Sequence, residues 1–179
     1  GRRHEGRIFT SADQKLIGAV AQLTAVALEN VRLQQTELEK QRMANELELA
    51  RNIQQSLLPQ EFCATGYLDA TGFNLPCYEI GGDYFDFFPL SEDKCLMVIA
   101  DVAGKGPAAA LRAAMVQGIV HASSRHSAEL SYLMRTINDC IRERTSAGSF
   151  VTAFLAALDH QGRLSFTNGG HNPPLLIRK

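Results

Sequence analysis

The chain has 179 residues, of which 45% are hydrophobic and 21% charged, and its formal net charge is −1. A charge this close to neutral gives no electrostatic support for binding nucleic acid or an anionic membrane, and the absence of tryptophan argues against an aromatic platform for nucleic acid. No apolar run approaches the ~20 residues of a transmembrane helix, and the four cysteines (Cys63, Cys77, Cys95 and Cys140) form no CxxC pair, so we expect reduced thiols, no zinc site and a cytoplasmic location.

The first predicted element is a nearly continuous helix from residue 12 to about residue 58. Thr10 or Ser11 can cap its start, and Asp13 in the first turn suits the positive end of the helix dipole. No glycine or proline interrupts the segment from Ala19 to Leu58, and Pro59 ends it. Apolar residues at helical spacing occur at both ends of the segment, at Leu16, Val20, Leu23, Ala27, Met43, Leu47, Ala50, Ile53 and Leu57, and the middle is polar.

A helix of this length extends nearly ~70 Å, which is too long to pack along its whole length on one small domain. One interpretation is a solvated linker helix. The other is a parallel two-stranded coiled coil, which the polar middle makes weak and therefore suited to switching. On the second interpretation we expect a homodimer through residues 16–57, with residues 43–57 contacting the following domain and transmitting the state of a sensor.

After Pro59 the sequence predicts a layered α+β domain. The apolar run at residues 95–100 is rich in β-forming residues and predicts a buried strand. Pro107 suits the first position of a helix, and apolar residues at helical spacing predict a further helix from Leu130 to Arg144. The remaining predicted elements are strands at 150–158 and 164–167, a hairpin turn at 159–162 that joins them, and a further strand at 175–177.

Two aspartates stand where apolar segments meet glycines, Asp83 in GGDYFDF (81–87) and Asp101 in IADVAGKG (99–106). Carboxylate oxygens suit Mg²⁺, Mn²⁺ or Ca²⁺, so the two residues are candidates to share a divalent cation. In an extended segment Asp83 and Asp86 face opposite sides, and we do not expect both to bind the same ion. For Asp83 alone, a turn or bulge with a surface aspartate stays open as an alternative. The Gly-Lys-Gly sequence at 104–106 lacks the spacing of a nucleotide-binding P-loop.

The segment TNGGHNPP at 167–174 contains His171. This histidine could act as a general acid or a ligand, but a hydrogen-bonded turn histidine is the favoured interpretation. His121, His126 and His160 have no partner legible in the sequence, and we expect them at the surface. No Ser-His-Asp or Cys-His arrangement is legible either.

Five motifs between Glu48 and Lys179 resemble the SpoIIE/RsbU-type branch of the metal-dependent PPM serine/threonine phosphatases. In order they are ELARNIQQSLLP, GGDYFDF, IADVAGKGPAAAL, SFVTAFLAALD and NGGHNPPLL. Residues 9–33 resemble, less specifically, the closing helix of a GAF sensory domain. The resemblance divides the chain into the tail of a GAF-like domain at 1–33, a coiled-coil linker helix at 34–60 and the N-terminal part of a phosphatase domain at 61–179.

The resemblance implies a β-sandwich flanked by helices that binds two Mn²⁺ or Mg²⁺ ions at one end. The metal ligands of the family carry over to Asp83, Asp101 and the backbone carbonyl of Val102, with Asp101 bridging the ions. The implied reaction is the in-line attack of a metal-activated water on phosphoserine or phosphothreonine. The usual target in the family is a phosphorylated anti-sigma-factor antagonist, a small STAS-type protein.

The resemblance also implies metal-binding aspartates that the sequence does not contain. Family members supply them from a Thr-Asp-Gly motif and a later acidic motif, and neither follows the segment at 167–174. We therefore expect the chain to be a fragment in which the sheet and the metal centre lack contributions. The alternative hypothesis is a non-catalytic, dimeric signalling module whose incomplete phosphatase domain docks a partner.

Overall fold

The computed structural model describes residues 9–59, 63–75, 80–145 and 148–177. The chain divides into two compact units, residues 1–46 and 47–179. Helix α1 (Ser11–Leu57) begins in the first unit and ends in the second. The predicted domain boundaries after residues 33 and 60 stay predictions, and so does the GAF-like segment, whose first part at residues 1–8 lies outside the described residues.

The start of α1 is capped by Thr10. The Thr10 hydroxyl accepts a hydrogen bond from the Asp13 N–H at 3.2 Å, and Asp13 Oδ2 accepts one from the Thr10 N–H at 2.9 Å. This reciprocal arrangement is a capping box with aspartate in its third position, and it satisfies N–H groups that the first turn of a helix leaves without partners. The predicted helix from 12 to about 58 is confirmed to within one residue at each end.

No residue of α1 is buried. The exposed large apolar side chains of its first half are Leu16, Ile17, Val20, Leu23, Val26, Leu28, Val31 and Leu33. By length and composition alone, α1 contains one stretch that is long and apolar enough to cross a membrane. This test tolerates isolated polar residues such as Gln22, and helices that never enter a membrane also pass it, so the prediction that nothing spans a bilayer stays a prediction.

The second unit is built on a four-stranded antiparallel sheet in which the strands follow one another in chain order. A short pair, β1 (Cys63–Ala64) and β2 (Asp69–Ala70), precedes it. The sheet contains β3 (Asp83–Ser91), β4 (Lys94–Val102), β5 (Val151–Asp159) and β6 (Leu164–Gly169). Helices α2 (Pro107–Ser124) and α3 (Leu130–Arg144) connect β4 to β5.

This element order confirms the α+β class, both predicted helices and the hairpin between β5 and β6. The strand predicted at residues 175–177 is wrong, because these residues pair with no strand among the described ones and are exposed. Their apolar composition resembles that of a strand, but Pro173 and Pro174 have no N–H groups with which to extend a ladder.

The core lies between one face of the sheet and the two helices. On β4 the residues Leu96, Val98, Ala100 and Val102 are buried against α2 and α3. On the opposite face Ile99 is 45% exposed. The strand predicted at 95–100 is therefore confirmed, but its second face is only partly buried, since Cys95 is buried and Ile99 is exposed.

A buried polar cluster joins β3 to α2. Asp86, which is 6% exposed, accepts a hydrogen bond from the Tyr84 hydroxyl at 2.9 Å, and the same Oδ2 atom lies 2.7 Å from Nε2 of His121. The Phe88 ring stacks on the His121 ring with the centroids 4.4 Å apart. Burial, and then the negative charge of Asp86, hold the pKa of Tyr84 far above its ordinary value, so Tyr84 stays a donor. The sequence predicts His121 at the surface without a partner; its side chain is 42% exposed, but it has a partner in Asp86.

We expect Asp86→Ala to lower the free energy of unfolding by about 1–3 kcal/mol, because the Tyr84 hydroxyl and His121 lose the acceptor that they share. Urea denaturation followed by circular dichroism measures the change. The matched control is Asp93→Ala, which removes an exposed carboxylate 3.6 Å from Nδ1 of His160 and should cost no more than about 0.5 kcal/mol. Equal losses in the two variants would show that the Asp86 cluster has no special role in stability.

Candidate metal centre

The two predicted aspartates lie directly opposite each other at one end of the sheet. Asp83 is the first residue of β3, and its register partner on β4 is Asp101. Register partners on antiparallel strands share a face, with Cβ atoms about 4.5–5.5 Å apart. Both residues are exposed, whereas Asp86 faces the helices and is buried. The predicted separation of Asp83 and Asp86 onto opposite sides of the strand is confirmed.

The pKa of Asp83 is raised above its ordinary value, first by partial burial and then by Asp101. Although the residue as a whole is exposed, partial burial of its carboxylate is the largest cause, and the charge of Asp101 and a hydrogen bond with it add to the effect. His171 acts in the opposite direction. Like charges placed opposite each other destabilise a ladder, and a divalent cation bound between them would remove the repulsion. The pair therefore has the charge and the donor atoms of a site for a hard cation.

Gly82 allows the backbone before Asp83 to approach Val102 closely. A Cβ atom at Gly82 would lie 2.8 Å from the carbonyl oxygen of Val102 and 3.1 Å from Cβ of Ala109, a separation at which one of the groups would have to move. Only glycine fits, and the Val102 oxygen consequently lies beside the residue that precedes Asp83. The structure thus brings the three predicted ligands, Asp83, Asp101 and the Val102 carbonyl, to one corner of the sheet, the metal corner.

The turn from β4 into α2 also depends on a glycine. Gly106 has φ 69° and stands at the N-cap of α2, a backbone conformation that side chains with a Cβ rarely adopt. Pro107 follows at the first helical position, as predicted. The chain can therefore leave the Asp101 end of β4 and enter the helix that covers the sheet within a few residues.

Sequence reasoning missed Thr152, which is the register partner of Asp101 on β5. Its hydroxyl lies 3.0 Å from Nδ1 of His171. The Asn168 side chain accepts a hydrogen bond from the His171 N–H at 2.8 Å and donates one to the His171 carbonyl at 3.0 Å. His171 is therefore a hydrogen-bonded loop histidine, the favoured interpretation, and it lies near enough to the aspartates to affect the pKa of Asp83.

The last turns of α1 contact the segment that leads into β3. The Gln54 amide nitrogen donates a hydrogen bond to the Gly81 carbonyl at 2.8 Å, and Oε1 of Gln54 accepts one from the Gly81 N–H at 3.3 Å. The Gln117 side chain on α2 donates to the Leu57 carbonyl. The end of the predicted contact segment at 43–57 is thus fixed both to the glycine pair beside Asp83 and to α2.

The side-chain donors at this corner are two carboxylates. Within the parts of the chain that the structure describes, no group of three or more His, Cys, Asp or Glu side chains converges in a way that could hold a metal ion. The donors that do meet, Asp83 and Asp101 with the Val102 carbonyl, are all oxygen atoms, and such donors fit Mn²⁺ or Mg²⁺ better than a softer metal.

Sequence comparison finds relatives that align with about three quarters of the chain. Residues 91–179 match the family model described as Stage II sporulation protein E (SpoIIE). The phosphoserine phosphatase RsbU of Bacillus subtilis is 27% identical over 135 residues, which are 75% of this chain and 40% of RsbU. Protein IcfG of Synechocystis sp. is 26% identical over 160 residues, covering 74% of this chain and 25% of IcfG. The chain thus spans well under two thirds of either relative.

The fold has a counterpart among solved structures. The SiaA-PP2C domain of Pseudomonas aeruginosa superposes with a TM-score of 0.57 at 19% identity, over 72% of this chain and 54% of that domain. At this identity the similarity establishes the fold alone, and it confirms the predicted PPM-type class. The family match, the sequence relatives and the fold agree: residues 91–179 match the SpoIIE family, and the chain is similar to phosphatase domains of the SpoIIE/RsbU type with a PPM-type fold.

Proposed function

We propose that the chain is part of a metal-dependent protein serine/threonine phosphatase of bacterial signalling, in which Asp83, Asp101 and the Val102 carbonyl bind Mn²⁺ or Mg²⁺. The observation that carries the proposal is the pairing of Asp83 with Asp101 across β3 and β4. The match of residues 91–179 to the SpoIIE family supports the reaction class. The similarity to RsbU, a phosphoserine phosphatase, supports phosphoserine as the group that is hydrolysed.

The residues of the corner would have different roles in the reaction. Divalent cations bound there would lower the pKa of water and offset the negative charge of the phosphoryl group. Asp101 lies on β4, which is paired on both sides, so its backbone is held firmly. Gly82 keeps Asp83 close to the Val102 oxygen. The hydrogen bonds of Thr152 and Asn168 to His171 hold the loop that borders the aspartates.

For the substrate we propose a phosphorylated STAS-type protein, an anti-sigma-factor antagonist. The match to the SpoIIE family and the similarity to RsbU support this choice. We also propose a cytoplasmic location, which the scattered cysteines support and which suits a protein of this class.

We expect Asp101→Asn to reduce Mn²⁺-dependent phosphate release from phosphocasein by roughly 100-fold or more, because loss of partners that merely orient metal ligands already costs 10–100-fold. Phosphate release with and without Mn²⁺ measures the effect, and calorimetry measures Mn²⁺ affinity. Asp93→Asn is the control, since Asp93 lies in the turn at the other end of the β3–β4 hairpin. An unchanged rate in Asp101→Asn would refute the role assigned to this residue.

The second candidate function is a non-catalytic signalling module that docks a partner. The observation in its favour is that two carboxylates, rather than a larger cluster, meet at the corner among the described residues. The same measurements separate the candidates. The module predicts neither Mn²⁺ binding at the corner nor phosphate release by the full-length protein, whereas the enzyme predicts both.

We further propose that the end of α1 regulates the metal corner through Gln54. Gln54→Ala removes both hydrogen bonds to Gly81, so we expect faster hydrogen exchange at the Gly81 amide and a fall in Mn²⁺ affinity of about 10-fold. The control is Asn52→Ala, an exposed position two residues earlier on the same helix. Unaltered exchange at Gly81 together with unaltered Mn²⁺ affinity would contradict the proposal.

For α1 we propose a parallel homodimer through residues 16–57, which its exposed apolar side chains support. We expect sedimentation at concentrations on the order of tens of micromolar to show a dimer that Leu23→Glu weakens, because a charge in the apolar stripe has no partner. Gln22→Glu, outside the stripe, is the control. A monomer at these concentrations would refute the dimer, and co-sedimentation with lipid vesicles would assign the apolar stretch to a bilayer instead.

A further inference from the structure

A groove with a volume of about 610 Å³ lies between α3 and the strands β5 and β6. Its lining includes the apolar side chains of Met134, Ile137 and Ile141 from α3 and Val151 from β5. It opens on the helix face of the sheet, the side opposite to the one that carries Asp101. The groove is therefore separate from the metal corner.

The charged side chains that line the groove are all positive. Among its lining residues the charged ones are Arg135 and Arg142, and no aspartate or glutamate is present. Both arginines are exposed. Arg142 lies 3.8 Å from Asp139 in a largely exposed pair, which holds the guanidinium only weakly. Arginine binds carboxylates with two parallel hydrogen bonds, so the groove combines an apolar floor with two sites for acidic groups.

The groove opens at the same end of the sheet as the aspartates. Val151 lines it, and the next residue, Thr152, faces the other side as the register partner of Asp101. The wall of the groove at Val151 and the face that carries Asp101 therefore lie on opposite sides of the sheet at the same end. A protein whose phosphoserine lies at the metal corner can reach the groove with a neighbouring segment.

We propose that this groove docks the phosphoprotein substrate through an extended acidic segment, a role that rests on the proposed function. Arg135 and Arg142 lie two helical turns apart, about 10.5 Å along the axis. A peptide in the polyproline II conformation has three residues per turn and advances about 3.1 Å per residue, so acidic residues at i and i+3 share one side about 9.3 Å apart and match the arginines. An apolar side chain between them lies against Met134 and Ile137.

Binding is tested first, without reference to catalysis. Fluorescence anisotropy measures the binding of three fluorescein-labelled peptides of about eight residues to the full chain. The first peptide has Glu at positions i and i+3 around a leucine, the second has the two Glu adjacent, and the third has Lys in place of both Glu. We expect the first to bind at least about tenfold more tightly than the others, with a strong dependence on salt. Arg135→Glu/Arg142→Glu should remove this binding, whereas Arg144→Glu, on the same helix but outside the lining, should retain it.

Turnover provides the second readout. With Mn²⁺ present, we expect the double variant to raise KM for phosphocasein about tenfold and to leave hydrolysis of p-nitrophenyl phosphate unchanged, because the small substrate has no segment to dock. Equal peptide binding by the unaltered chain and the double variant, or an equal loss in Arg144→Glu, would overturn the docking role. Failure of the full-length protein to hydrolyse p-nitrophenyl phosphate would instead count against the proposed function, and the anisotropy result would still test the groove.

Discussion

The register of β3 against β4 is the constraint on which the metal corner depends. Asp83 pairs with Asp101, and Tyr84 pairs with Ala100. Because side chains alternate between the two faces of a strand, a shift of one residue would turn Asp83 toward the helices and Tyr84 toward solvent. Burial of Tyr84 and Ala100 in the core therefore selects the one register that places the two carboxylates opposite each other on the other face.

The second aspartate of GGDYFDF strengthens this selection. Asp86 is buried with Tyr84 and His121, and a slipped register would take all three away from their partners. A buried polar cluster is costly when only part of it is satisfied, so it discriminates between registers more sharply than apolar burial does. The motif GGDYFDF thus contains Asp83, which belongs to the candidate metal site, and Asp86, which stabilises the register and connects β3 to α2.

Features with local signals were predictable from the sequence, and features that depend on pairing were not. Helix α3 and the β5–β6 hairpin follow from periodicity and turn residues within one segment. The contact of His121 with Asp86 joins residues 35 apart, and that of Gln54 with Gly81 joins residues 27 apart. The sequence indicated which residues had suitable chemistry, but the register and the helix packing determine which of them meet.

The strand order explains why a signal from α1 would act on Asp83 rather than on Asp101. Within the sheet that the structure describes, β3 is an edge strand paired only with β4, whereas β4 is paired on both sides. The start of β3 is restrained by Gln54 on Gly81 and by the fit of Gly82 against Val102. Releasing Gln54 removes one of these restraints from the edge strand and leaves the ladders around Asp101 intact. A displacement of α1 would therefore change the separation of the two carboxylates, the quantity on which shared binding of a cation depends.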